Sequence, residues 1–333
     1  SFTAGEKTIF LFGDGIGAGN EFLPGLIAYA PNRDPAELSG LQLHFYTDAT
    51  GRALMVHPPG LSMDAFEVPT GGIQIGERLY ISAKMGRRTL PNGSIEMGSA
   101  LVEFDESRGT FRTVREFSPV GGKFAEVNMR MAPGPIPGLP DDGPYVLIWG
   151  TGKVYRQSPV YLAAVKASEI EQPGRMWYFA GLDADGRPTW GTTEDAAVPL
   201  RPMPGNIGEF SVIWVDELQL WLMTYNGVYF HWAKEPWGPW SPPQQIFALG
   251  EYGAVGTWVQ RPSSPLAILA GPVIGSGDPM TTPGAAYGPY MIEAYTRLSG
   301  DILTVYWLAS TWNPYSVILM RSDFRVEWAP AAE

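Results

Sequence analysis

The chain has 333 residues, 45% of them hydrophobic and 13% aromatic, and 34 acidic residues against 23 Lys and Arg give a net charge of −11. That charge argues against nucleic acid or an anionic membrane as partner, since both select basic surfaces. Cysteine is absent, which excludes disulfides, thiolate catalysis and thiolate metal sites together, and no apolar run reaches the ~18 residues that a membrane-spanning helix needs.

The 40 Gly and 31 Pro punctuate the chain heavily and discourage long helices. In chain order, the pattern predicts five similar units of roughly 45 to 70 residues, each a cluster of short strands. The first holds strands at 8–12, 41–46 and 53–57, and the second at 66–75, 78–85, 98–104 and 110–117. The third holds 124–128, 145–149, 160–165 and 177–179. The fourth runs from Glu209 through 210–214, 218–225, 227–233 and 238–241, and the fifth holds 288–295, 302–309 and 315–321. A single helix-like stretch, 167–172, interrupts them. Two Pro- and Gly-rich segments, 132–144 and 270–287, read as rim insertions rather than linkers.

The turns at Asp105–Phe111 and Asp183–Trp190 both join Asp, Gly, Thr and an aromatic. Asp folds onto the following backbone and Gly supplies positive φ. They fit degenerate Asp-box turns of sialidase-like blades and ordinary hairpin turns equally well. A single blade leaves a hydrophobic face bare, so neighbouring units must stack to bury it. The expected fold is therefore all-β, a five-bladed β-propeller forming one domain over residues 1–333. Its first blade is expected to be short of a strand at the N-terminus, or closed by Val326-Glu327-Trp328. A chain beginning at Ser1 suggests a trimmed N-terminus, as removal of a signal peptide or other trimming would leave. A monomer is expected.

Gly13-Asp14-Gly15-Ile16-Gly17-Ala18-Gly19 superficially matches a dinucleotide fingerprint. That motif needs a helix opening at its last glycine to hold pyrophosphate. The residues that follow, Asn20 to Gly25, have loop chemistry instead. His44, His57 and His231 lack metal-ligand spacing, and no Gly-x-Ser-x-Gly elbow occurs. No metal or cofactor is expected, although calcium needs no linear signature. The chemistry then falls to carboxylates at strand ends: Asp14 in the first unit, Glu126 in the third and Glu209 in the fourth. Glycoside hydrolysis uses two such groups with pKa values driven apart, and Glu126 lies in an apolar strand where burial would raise its own. Aromatic residues beside Gly/Pro segments (Trp149, Tyr155, Trp237, Trp240, Tyr290, Trp312 and Tyr315) supply stacking faces for sugar or filling for gaps between blades. Two or three are expected to line a site.

Several segments taken together resemble one family. They are Phe12-Gly13-Asp14, Pro69-Thr70-Gly71-Gly72, Trp149-Gly150-Thr151-Gly152 with Tyr155-Arg156-Gln157-Ser158, Gly208-Glu209-Phe210-Ser211, Pro236-Trp237-Gly238-Pro239-Trp240-Ser241 and Ser310-Thr311-Trp312-Asn313-Pro314-Tyr315. The chain is similar, over nearly its whole length, to a bacterial family first labelled a domain of unknown function. Some members are assigned as endo-D-arabinofuranases of glycoside hydrolase family 183, which cleave the D-arabinan of mycobacterial arabinogalactan and lipoarabinomannan. The resemblance implies a five-bladed propeller, an extracellular setting and hydrolysis of α-linked D-arabinofuranosyl chains. Relatives carry an Asp-Leu-Gly segment before the Phe-Gly-Asp motif that this sequence does not show; if that Asp is a catalytic group, this sequence is inactive or reliant on Asp14.

On this reading Glu209 is the expected general acid, with Asp14 or Glu126 as base or nucleophile. Arg156, Tyr155, Tyr290, Trp312 and Asn313 are expected to contact sugar, and inversion is the expected outcome. A non-catalytic glycan-binding propeller would use the same aromatic pocket.

Overall fold

The structure, a computed structural model, describes residues 1–37, 40–63, 66–248, 254–261 and 282–327. Five antiparallel sheets, each drawn from one continuous stretch of chain, form a five-bladed β-propeller. Blade one holds Phe2–Ala4, Lys7–Ile16, Phe22–Pro31 and His44–Phe45. Blade two holds Pro69–Ile75, Arg78–Thr89, Ile95–Asp105 and Thr110–Ser118. Blade three holds Glu126–Met131, Tyr145–Thr151, Tyr161–Lys166, Trp177–Leu182 and Pro188–Gly191. Blade four holds Phe210–Val215, Leu220–Tyr225, Tyr229–Ala233 and Gln244–Gln245. In blade five, Ala286–Met291 and Arg297–Ser299 pair with Ile302–Trp312, which also pairs with Tyr315–Arg325.

Burial follows the strand order. Tyr145–Thr151 is buried at every position, as its continuous apolar run requires, whereas the outer strand Thr110–Ser118 alternates toward solvent. The first strands of successive blades touch around the axis. Gly71 shows how closely: a Cβ there would collide with the Val127 carbonyl oxygen.

Five apolar clusters fill the five gaps between blades. Ile9 and Ile27 meet Ile81 and Phe104 between blades one and two, and Tyr80 and Leu101 meet Phe124 and Val146 between two and three. Trp149 packs on Trp221 between three and four, with ring centroids 4.8 Å apart. Phe230 stacks on Phe324 at 4.7 Å between four and five. Phe10 and Ala28 meet Tyr306 and Leu308 between five and one. Each such side chain contributes about 1.5–3 kcal/mol by leaving water.

Among the described residues the sheets share no strand, so side chains close the ring. The Tyr306 hydroxyl donates to Asp34 Oδ1 at 2.8 Å, Arg297 pairs with Asp34 at 2.5 Å, and the Tyr295 hydroxyl donates to the Pro31 carbonyl at 3.0 Å. Tyr306→Phe is expected to cost about 1 kcal/mol. A lower urea midpoint with an unchanged far-ultraviolet circular dichroism spectrum is the readout.

The architecture agrees with the expectation, and several details differ. The glycine segment is neither a nucleotide loop nor irregular. It is the end of the strand Lys7–Ile16 and the start of the turn of a long hairpin, whose second strand, Phe22–Pro31, starts inside the stretch with loop chemistry. The expected strands 41–46 and 53–57 reduce to His44–Phe45 and isolated bridges, because Leu26 and Thr47 engage Met55 and Ala53 singly. Residues 238–241 are irregular, with Trp240 buried, and Gln244–Gln245 takes the outer position instead.

Blade one takes its four strands from residues 2–45. Val326 packs against the cluster between blades four and five rather than closing blade one, and Trp328 lies outside the described residues. Segment 132–144 is irregular and anchored by buried Ile136, and 270–281 of the second insertion lies outside the described residues. The helix-like stretch is a single 3-10 turn, Ala167–Glu169. Three others, Ala18–Asn20, Glu194–Ala196 and Glu293–Tyr295, went unpredicted.

Both Asp turns join outer strands. Asp105 Oδ1 accepts from the Ser107 hydroxyl at 2.6 Å and the Arg108 amide at 3.2 Å. Asp183 Oδ1 accepts from the Asp185 and Arg187 amides, both at 2.9 Å.

Candidate active site

At one mouth of the axis lies a cavity of about 990 Å³ to which all five blades contribute. Glu126 opens the first strand of blade three, opposite Thr151. Glu209 directly precedes Phe210, whose partner Tyr225 leads into the Asn226-Gly227 turn, so Asn226 comes to lie beside the carboxylate. Tyr287 and Tyr290 are three apart and would face opposite sides of a regular strand. A register shift between them, with Gly288 at φ 63°, lets both line the cavity.

Glu209 is held by donors on both oxygens. Oε1 accepts from the Tyr155 hydroxyl at 3.0 Å and from Arg156 Nε at 2.9 Å, and Arg156 Nη2 bonds the same oxygen. Oε2 accepts from Arg156 Nε at 3.0 Å and from Asn226 Nδ2. Asn226 Oδ1 in turn accepts from the Gly288 amide at 3.0 Å, tying blade four to blade five. Arg156 adopts φ 58°, a left-handed conformation costly for a residue with a Cβ. Its guanidinium lies over the rings of Tyr155 at 4.9 Å and Tyr287 at 5.2 Å. Gly208 leaves room for this, since a Cβ there would meet Arg156 Cγ at 2.6 Å. Burial works to raise the Glu209 pKa, but the Arg156 hydrogen bonds and charge, with Lys84 and Asn226, outweigh it and hold the carboxyl below its ordinary value.

Glu126 is pushed the other way. Burial is the largest cause and the nearby Glu209 charge adds to it. Lys84 and the Tyr290 hydrogen bond oppose them, and the net direction is upward. Its Oε1 accepts from the Tyr290 hydroxyl at 3.1 Å, and its Oε2 lies 3.5 Å from Lys84 Nζ, with each of the two charged side chains 5% exposed. Lys84 also lies over the Tyr155 ring at 4.9 Å. Two neighbouring carboxyls displaced in opposite directions are what acid–base work requires.

Asp14 lines the same cavity from Lys7–Ile16. Tyr287 and Tyr315 hydrogen-bond each other, and burial, with the Asp14 charge contributing, raises the pKa of both. The predicted Asp14, Glu126, Glu209, Arg156, Tyr155, Tyr290 and Trp312 all line this one cavity. Asn313 does not line it: the residue is 2% exposed and its Nδ2 bonds the Thr282 carbonyl, because the side chain turns inward at the Pro314 turn. Trp149, Trp237 and Trp240 belong to the cluster between blades three and four, whereas Tyr155, Tyr290, Trp312 and Tyr315 face the cavity. His231 is a packed imidazole between the Ser241 carbonyl and the Tyr225 hydroxyl. Among the described residues no three His, Asp or Glu are placed to hold a metal ion.

The arrangement does not favour Glu209 as proton donor. Every direction around its carboxyl is taken by a donor, so a proton there would face N–H and O–H groups. Sequence reasoning missed Lys84, Asn226 and Tyr287. The signal for Lys84 was a lone cation ending the apolar run Leu79 to Ala83, and for Asn226 an Asn-Gly hairpin turn.

Comparison with solved structures gives an exo-β-1,3-galactanase from Phanerochaete chrysosporium, in complex with β-1,3-galactotriose. It is 9% identical at a TM-score of 0.50, over 96% of this chain and 58% of the galactanase. The chain thus spans a little over half of that protein's length. An endo-arabinase from Bacteroides thetaiotaomicron is 10% identical at a TM-score of 0.43, over 97% of this chain and 90% of its own. Among curated proteins, none matches. At such identities the likeness to the galactanase is one of fold. A family model matches residues 2–321, and the chain belongs to the family described as "Domain of unknown function (DUF4185)".

Proposed function

We propose that the protein is a secreted, monomeric glycoside hydrolase that cleaves α-linked D-arabinofuranosyl chains of mycobacterial-type arabinan, as in arabinogalactan and lipoarabinomannan. The observation that carries a hydrolase is Glu126, a buried carboxyl with a raised pKa lining the same cavity as a second carboxylate, Asp14. The choice of arabinan rests on the segments similar to glycoside hydrolase family 183.

In this mechanism Glu126, whose hold on its proton burial strengthens, gives that proton to the departing glycosidic oxygen while positive charge develops at the anomeric carbon. Asp14, contributed to the same cavity by blade one, takes a proton from the attacking water, which leads to inversion. Glu209 does not exchange a proton; it holds Arg156, whose remaining N–H groups and the Tyr287 ring meet sugar hydroxyls and C–H faces. Trp312 and Tyr315 supply further stacking surface.

Incubation with mycobacterial arabinogalactan, followed by chromatography, should release reducing oligosaccharides. A folded protein that retards arabinan without releasing reducing ends would make it a glycan-binding propeller. One that does neither would remove arabinan as the ligand.

A further inference from the structure

We propose that Lys84 is a positioning residue that stabilises the carboxylate left on Glu126 when that residue gives up its proton. The placement follows from strand alternation. Along Arg78–Thr89, Leu79, Ile81 and Ala83 face blade one, whereas Tyr80, two pairs back from Lys84, faces blade three. Lys84 continues the Tyr80 and Ser82 face, and its backbone is fixed by the hydrogen bond its amide donates to the Val68 carbonyl at 3.0 Å. Its ammonium therefore arrives at the first strand of blade three, 3.5 Å from Glu126 Oε2.

The charged and titratable groups facing Glu126 come from four blades. They are Lys84 from blade two, Tyr155 and Arg156 from blade three, Glu209 from blade four and Tyr290 from blade five. Arg156 is already committed to Glu209 through its fork. That leaves Lys84 as the cation in direct contact with Glu126. A buried carboxyl beside a second carboxylate, with no such partner, would hold its proton too tightly to donate it at neutral pH. Lys84 offsets that penalty at the moment the proton leaves, and the Tyr155 ring beneath its ammonium fixes its position.

This rests on Glu126 as proton donor, so the test separates the two claims. Carbon-13 NMR of glutamate-labelled protein, with Glu126→Gln to assign the resonance, reads the Glu126 midpoint without any substrate. Lys84→Met should move that midpoint up by about one unit or more, and Lys84→Arg should bring it part of the way back. In turnover, Lys84→Met should move the alkaline limb of kcat/KM by the same amount and lower kcat about tenfold or more. If Lys84→Met does not fold, the wild-type Lys84 Nζ resonance should inflect at the Glu126 midpoint and lose that inflection in Glu126→Gln.

An unchanged midpoint in folded Lys84→Met, or no coupled inflection in the wild type, would overturn the proposal. A shifted midpoint with unaltered turnover would retain Lys84 as the partner of Glu126 and remove Glu126 from the donor role.

Discussion

Glu126→Gln is expected to lower kcat on arabinan by about 10²–10⁴-fold, the range that a positioned proton donor supplies, with a poor furanoside leaving group at the upper end. The fold should survive. The amide keeps an acceptor for Lys84, and the Tyr290 hydroxyl, 3.1 Å from Oε1, can turn to accept from the new NH₂. Glycan binding should persist, because the Arg156 fork and the tyrosine walls are untouched. In the wild type, the alkaline limb of kcat/KM should report a group above the ordinary glutamate value of 4.5, in keeping with the raised Glu126 pKa. Steady-state rates from pH 4 to 9 on both proteins check this. Near-normal hydrolysis by folded Glu126→Gln would transfer the donor role to Asp14.

Glu209→Ala is expected to lose stability and activity together. It removes the shared acceptor of Tyr155, Arg156 and Asn226 and leaves those donors without it. Breaking a buried pair costs about 3–5 kcal/mol, and the lower end applies here, since the Arg156 side chain is 44% exposed. The pH dependence has a definite sign. The folded-state pKa of Glu209 lies below its ordinary 4.5, so its stabilisation is complete above that value and is lost as pH falls through the folded value. The gap in urea midpoint between wild type and Glu209→Ala should therefore be full at pH 7 and close in strong acid. Glu209→Gln separates strut from acid: as a strut the change lowers stability and glycan affinity, and as an acid it would abolish turnover while leaving both intact.

The sequence by itself determined the blade count, the strand chemistry and most of the residues that meet at the axis. Those follow from local rules. Alternation along Phe210–Trp214, Gly- and Asp-bearing turns such as Asp183–Trp190, and a carboxylate at the head of an apolar strand are all readable within a few residues.

Only the tertiary structure decided how the surroundings of the two glutamates differ. Glu126 and Glu209 look alike in sequence, each a lone acid at the start of a strand, and they differ through partners about 40 to 160 residues away in the chain: Lys84 and Tyr290 for one, Arg156 for the other. The same applies to Asn313, which matched a promising motif yet turns inward to the Thr282 carbonyl. A pKa depends on what surrounds a charge in space, and around a propeller axis those surroundings are assembled from five separate stretches of chain.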